Sequence, residues 1–147
     1  MERRIFRTTT RVLYGDTDAA GVVYNANYLR YFEYARTEMM RNWVCSYKEI
    51  EDLGFVLPVT ESWIRYKAPA FYDDLLTLEC YIAELSRLKC TFKYRVLRKS
   101  PEQDKEKLLV KGYTVHVATT RKGTLIRFPE ELLEKITKAC NLDGIDL

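Results

Sequence analysis

Residues 14–43 read YGDTDAAGVVYNANYLRYFEYARTEMMRNW, and the chain changes character inside them. Up to Gly21 the segment is turn chemistry. Two glycines bracket Asp16, Thr17 and Asp18, whose short side chains bond back to the backbone. From Tyr24 onward the period becomes helical. Tyr28, Phe32, Ala35, Met39 and Trp43 step by three or four and make one apolar stripe of about four turns, while Arg30, Glu33, Glu38 and Arg41 fall largely away from it. The spacing predicts one long helix beginning between Tyr24 and Asn27.

On either side the period is that of strands. Arg3 to Leu13, with Thr8-Thr9-Thr10 and Val12, suits a first strand, and Ser62 to Lys67 alternates. Leu76, Leu78, Cys80 and Ile82 share one face against Thr77, Glu79 and Tyr81. Leu88, Cys90, Phe92, Tyr94 and Val96 share another against Lys89, Thr91, Lys93 and Arg95. A polar turn, Ser100 to Lys107, precedes Leu108 to Thr119, which is apolar on both faces as a central strand is. Pro129 with Glu130 and Glu131 opens a short C-terminal helix. A single long helix must bury its stripe on a sheet. The expected architecture is therefore α+β, with an antiparallel sheet curling round the helix. Its open edge strands are suited to pairing across a two-fold into a dimer.

Composition narrows the chemistry. The 147 residues fit one domain spanning the chain, and 47% apolar residues are enough for a real core. A net charge of +3 from 24 basic and 21 acidic residues is too balanced to imply nucleic acid by electrostatics alone. The single histidine, His116, excludes every metal or catalytic site that needs two imidazoles. It lies between Val115 and Val117, where a core or interface role is expected. Cys45, Cys80, Cys90 and Cys140 are scattered without metal-ligand spacing and read as buried free thiols of a reducing compartment. No stretch has the apolar length of a membrane span or the h-region of a signal peptide, so a soluble, cytoplasmic protein without membrane insertion is expected.

The 14–36 segment places two carboxylates in a loop directly before a helix. A helix N-terminus carries unpaired N–H groups and partial positive charge, able to hold a carboxylate, a phosphate or a developing oxyanion. A carboxylate next to such donors is the minimum equipment for acyl transfer, and thioesters, being more reactive than esters or amides, need no serine triad. Aspartates before a helix also serve as plain turn and cap residues, and spacing alone leaves both roles open. Two carboxylates without further ligands fall short of a metal site; neither metal nor cofactor is called for.

The segment resembles the signature of the 4-hydroxybenzoyl-CoA thioesterase branch of the hotdog fold, in particular its YbgC-type acyl-CoA thioesterases. Tyr14, Asp16, Thr17, Asp18, Gly21, Val22, Val23, Tyr24, Tyr28, Glu33, Ala35 and Arg36 stand in register with that pattern. Weaker likeness runs through Tyr66-Lys67-Ala68-Pro69-Ala70, Asp73-Asp74 and Arg127-Phe128-Pro129, so it covers nearly the whole chain. The resemblance implies a hotdog domain that hydrolyses acyl-CoA to a free carboxylic acid and CoA. Asp18 would be nucleophile or general base, and the backbone N–H of Asn25 the oxyanion donor. Asp16 and Thr17 would shape the loop, and Tyr14 would buttress it.

At Asn25 the YbgC-type enzymes usually carry histidine, and asparagine cannot titrate. The acyl pocket is expected to draw on Val22, Val23 and Tyr28 and on a partner subunit. Arg87 and Lys89, and also Arg121 and Lys122, stand where related enzymes often hold the nucleotide, although solvated strand ends carry such residues anyway. Glu33 and Glu38, alternatives on the helix, have Arg30, Arg36 and Arg41 for ion-pair partners. A homodimer or homotetramer acting on acyl-CoA is the favoured reading. A non-catalytic adaptor for acyl thioesters or acyl carrier protein is the alternative.

Overall fold

The computed structural model describes residues 3–101 and 104–142. Strand β1 (Phe6–Arg11) leads through a 3₁₀ turn, Tyr14–Asp16, into helix α1 (Asn27–Trp43) and a short helix α2 (Tyr47–Asp52). Strands β2 (Phe55–Val56), β3 (Val59–Tyr66), β4 (Leu75–Leu85), β5 (Cys90–Lys99), β6 (Glu106–His116), β7 (Ala118–Thr120) and β8 (Leu125–Ile126) follow, then helix α3 (Glu130–Ala139). Five strands make one antiparallel sheet in the order β1-β4-β5-β6-β3, and β2, β7 and β8 make a smaller one.

The predicted stripe is the buried face of α1. Tyr28, Phe32, Ala35 and Met39 are buried, Trp43 is half-buried, and Tyr31 and Met40 widen the stripe. Strand parity also holds: Leu76, Leu78, Cys80 and Ile82 of β4 and Cys90, Phe92, Tyr94 and Val96 of β5 are all buried. Leu88 departs from it. It is exposed, because Ser86 closes a turn by accepting the N–H groups of Leu88 (3.3 Å) and Lys89 (3.1 Å), which delays β5 to Cys90. The Leu108–Thr119 run is not one strand: β6 ends at His116, and Ala118–Thr120 crosses to pair with β2 and β8. Helix α2, not expected from the sequence, is six residues long and capped by Ser46, which accepts the Glu49 N–H at 3.1 Å. That is too short for periodicity to register.

Helix and sheet meet at Phe32, whose ring lies flat on Tyr94 with centroids 4.2 Å apart and planes 3° apart. Gly112 makes this possible. A Cβ there would stand 2.4 Å from the Trp63 carbonyl oxygen and 2.7 Å from the Phe32 ring. Gly112→Ala is expected to push α1 off the sheet and destabilise the fold by about 1–3 kcal/mol; a denaturant midpoint unchanged from wild type would refute this.

His116 is 1% exposed, with Nδ1 3.1 Å from the Leu57 carbonyl and Nε2 2.8 Å from the Thr114 hydroxyl, which in turn lies 2.6 Å from the Tyr94 hydroxyl. The carbonyl can only accept, so Nδ1 carries the proton and Nε2 accepts from Thr114. Burial, with the nearby Arg36 charge adding to it, lowers the imidazole pKa to about 4. The unfolded chain, with an ordinary histidine, binds the proton first as pH falls. His116 therefore contributes stability that is complete above about pH 6.5 and is lost toward about pH 4, roughly 3 kcal/mol in all. Urea unfolding across that window should show the loss in wild type and a flatter profile in His116→Gln.

Candidate active site

The loop between β1 and α1 is held at both ends by backbone bonds. Val12 donates to the Asp74 carbonyl (2.9 Å) and accepts from the Asp73 N–H (3.0 Å). After the 3₁₀ turn, residues 17–23 fold into a small hairpin in which Thr17 bridges Val23 and the Asp18 N–H donates to the Val22 carbonyl at 2.9 Å. Gly21 closes it at φ +83°, a left-handed conformation that disfavours a side chain. The hairpin leans on the segment before β4: Val22 bridges Phe71, and the Val23 N–H donates to the Ala70 carbonyl at 2.9 Å.

The two aspartates have different surroundings. Asp16 is buried. Its Oδ2 accepts from the Leu13 N–H and the Tyr31 hydroxyl, both at 3.0 Å, and its carbonyl accepts from the Tyr24 N–H and the Asn27 side chain, both at 2.8 Å. Burial and the Asp16 carboxylate push the Tyr31 hydroxyl pKa well up, so it stays a donor. Asp18 is exposed. Its Oδ1 accepts from the N–H groups of Ala20 (2.9 Å) and Val22 (3.4 Å), which aims the carboxylate, while Oδ2 meets no donor among the described residues.

Helix α1 then starts without a side-chain cap: Ala26 occupies the cap position in helical conformation. The first donors to find acceptors are Asn27, to Tyr24, and Tyr28, to Asn25 at 3.4 Å. The N–H groups of Asn25 and Ala26 meet no acceptor among the described residues, so they are the unpaired donors of this helix end. Asn25 is fixed by Tyr66, whose hydroxyl donates to its carbonyl at 3.1 Å, and Tyr66 packs edge-on against Tyr28. Neither Tyr66 nor Asn27 is marked by spacing as part of this loop; the one trace of Tyr66 in the sequence is its place in the Tyr66–Ala70 likeness.

The remaining expected site residues are not all gathered here. Val22 is half-buried at the hairpin, whereas Val23 and Tyr28 are buried in the core cluster. Arg87 and Lys89 are exposed in the β4–β5 turn. That turn lies at the far end of β4 from Leu75, which pairs with Arg11 beside the loop, roughly 33 Å along the strand at about 3.3 Å per residue. Within one protomer they do not meet Asp18. Arg121 is exposed too and donates to the Glu51 carbonyl at 3.1 Å. On α1, Glu38 is ion-paired with Arg41, and Glu33 is exposed.

One long helix on a five-stranded antiparallel sheet, entered through a carboxylate-bearing turn, defines a hotdog domain of the thioesterase type. The chain belongs to the thioesterase-like superfamily, whose profile matches residues 12–136. It is 36% identical over 132 residues to the acyl-CoA thioesterase YbgC of Haemophilus influenzae, spanning 86% of this chain and 90% of that one. It is 38% identical over 99 residues to the acyl-CoA thioester hydrolase YbgC of Escherichia coli, spanning 66% and 72%. The crystal structure of a DHNA-CoA thioesterase from Staphylococcus aureus superposes with a TM-score of 0.85 at 27% identity over 97% of each chain.

Proposed function

We propose that the chain is an acyl-CoA thioesterase, releasing a free carboxylic acid and CoA. The observation that carries this reading is an exposed carboxylate, Asp18, aimed by its own turn and followed seven residues later by unpaired N–H groups at the start of α1. In this reading the acyl carbonyl lies with its oxygen toward the Asn25 N–H, and the donor stabilises the negative charge that develops there. Asp18 either attacks the carbonyl carbon or takes a proton from the attacking water, and CoA leaves as the thiolate. No residue of the reading binds a metal or a cofactor.

The active unit is read as a dimer, with tetramers formed from it. The outer edge of β3 has no strand partner among the described residues, and most of its side chains are exposed. Antiparallel pairing of two such edges turns one sheet end-for-end relative to the other. The Arg87 and Lys89 end of the partner subunit then lies on the same side as Asp18, where cations can meet the CoA phosphates. Val22, with the core residues Val23 and Tyr28 behind it, forms this chain's share of the acyl wall.

The test is thiol release by the purified chain across acyl-CoAs of graded length and aromatic acyl-CoAs. Release from at least one supports the reading; tight acyl-CoA binding with no release anywhere moves the assignment to the adaptor. Because the proposed donor is main chain, Asn25→Ala is expected to stay within about tenfold of wild type. A loss comparable to removing Asp18 would instead assign the work to the amide side chain.

A further inference from the structure

The face of the five-stranded sheet turned away from α1 carries an arrangement the thioesterase reading does not use. Register places Arg7, Glu79, Arg95, Lys111 and Arg65 in one row across all five strands, about 19 Å wide at about 4.8 Å per strand. The adjacent row is Tyr81, Lys93, Tyr113 and Trp63. The two rows hold five cations and one carboxylate, a net of +4, against +3 for the whole chain. The net positive charge is concentrated in these two rows, with Glu61 at their border, accepting from the Tyr113 hydroxyl at 2.9 Å.

That concentration works against the fold. Arg95, Lys111 and Arg65 are direct cross-strand neighbours, an arrangement that costs stability. Glu79, 5% exposed, pairs with Arg7 at 2.7 Å and Arg95 at 3.2 Å and holds those two upright, each still more than half exposed. Lys93, Lys111 and Arg65 have no carboxylate within ion-pair distance among the described residues. Beside them Trp63 is 42% exposed, its ring stacked on Tyr113 at 5.8 Å, and the pair borders a groove of about 380 Å³.

We propose that this face docks on an anionic lipid bilayer. Cations together with an exposed tryptophan, here stacked on the half-buried Tyr113 whose hydroxyl donates to Glu61 at 2.9 Å, are the combination that seats a protein at a negatively charged membrane surface, each cation strengthening attachment by about fivefold. A second copy of the chain does not fit, because it would set +4 against +4. Single-stranded nucleic acid fits less well, since Trp63 and Tyr113 spend their inner ring faces on each other rather than offering them to bases. Pairing of two β3 edges would double the array. The inference goes beyond the thioesterase reading and does not depend on it.

The experiment is co-sedimentation of the full chain with vesicles of phosphatidylcholine alone and of phosphatidylcholine with about one-third phosphatidylglycerol. Binding is expected only to the anionic vesicles and is lost in about 1 M salt, where screening acts within about 3 Å. Arg65→Glu/Lys93→Glu/Lys111→Glu should weaken it by about a hundredfold or more, the triple glutamine variant by less, and Lys93→Arg/Lys111→Arg hardly at all. In a Trp43→Phe background, Trp63 emission should shift to the blue on anionic vesicles. Thiol release in solution is expected to stay at the wild-type level in all of these variants, so a failed assay of activity and a failed assay of docking are told apart. Equal binding to neutral vesicles overturns the proposal, as does undiminished binding by the glutamate variant. So does binding to an oligonucleotide or polyglutamate without binding to vesicles, or a change of oligomeric state in the glutamate variant.

Discussion

Asp18→Asn is expected to lower thiol release by about a hundredfold to ten-thousandfold while leaving the protein as stable as wild type. The contrast follows from how the two carboxylate oxygens are used. Oδ1 accepts the Ala20 and Val22 N–H groups and so shapes the turn, and an asparagine carbonyl can accept both in the same place. Oδ2 meets no donor among the described residues, and that is the oxygen the substitution turns into an amide. The variant would keep the turn and lose the base, with melting unchanged to within about 0.5 kcal/mol. Rapid-quench mass spectrometry on wild type separates the two mechanisms. An acyl adduct on the peptide carrying Asp18 marks a nucleophile, and its absence during steady turnover marks a general base. Full activity in Asp18→Asn would remove this residue from the chemistry.

What could be read from the sequence, and what could not, divides along physical lines. The α1 stripe and the faces of β4 and β5 were legible because burial on one side imposes a period, and Tyr28, Phe32, Leu78 and Tyr94 obey it. Edge strand β3 is almost wholly exposed, so alternation there says little. The β7 crossing could not be seen in an apolar run, since Val115 and Ala118 are both buried on opposite sides of the change of sheet. In the loop, the spacing of residues 14–36 located the carboxylates, and only the family resemblance divided their labour; the structural basis of that division was not legible. That depends on Tyr31, Leu13, Asn27 and Tyr66, which reach the loop through hydrogen bonds that no residue spacing announces. Arg87 and Lys89 show the converse: residue matching singles them out, but only the topology shows that they stand at the other end of their own sheet from Asp18, so that in the proposed reading a partner subunit brings them there.

Asp16→Ala should show the opposite signature from Asp18→Asn, losing stability and activity together. Removing the carboxylate leaves the Leu13 N–H and the Tyr31 hydroxyl without their acceptor in a buried place. At about 1–3 kcal/mol for each of the two stranded donors, the loss is about 2–6 kcal/mol. The Arg30 guanidinium, 3.9 Å away and largely exposed, adds little to that sum. Activity falls as well, because the carboxylate ties the start of the 3₁₀ turn at Leu13 to Tyr31 of α1. A displacement of about 1 Å between Asp18 and the helix donors is enough for a loss of about a hundredfold. Tyr31→Phe removes one of the two bonds at Oδ2 and is expected to cost about 1 kcal/mol. Combined with Asp16→Ala it should add little, since the bond is already gone. Asp16→Asn, whose carbonyl can take the place of Oδ2, should recover most of the stability and activity together. If Asp16→Ala melted like wild type but hydrolysed no thioester, the buried carboxylate would belong to the chemistry and not to the support of the loop. The two aspartates are thus distinguished by paired measurements of unfolding and thiol release on the same variants.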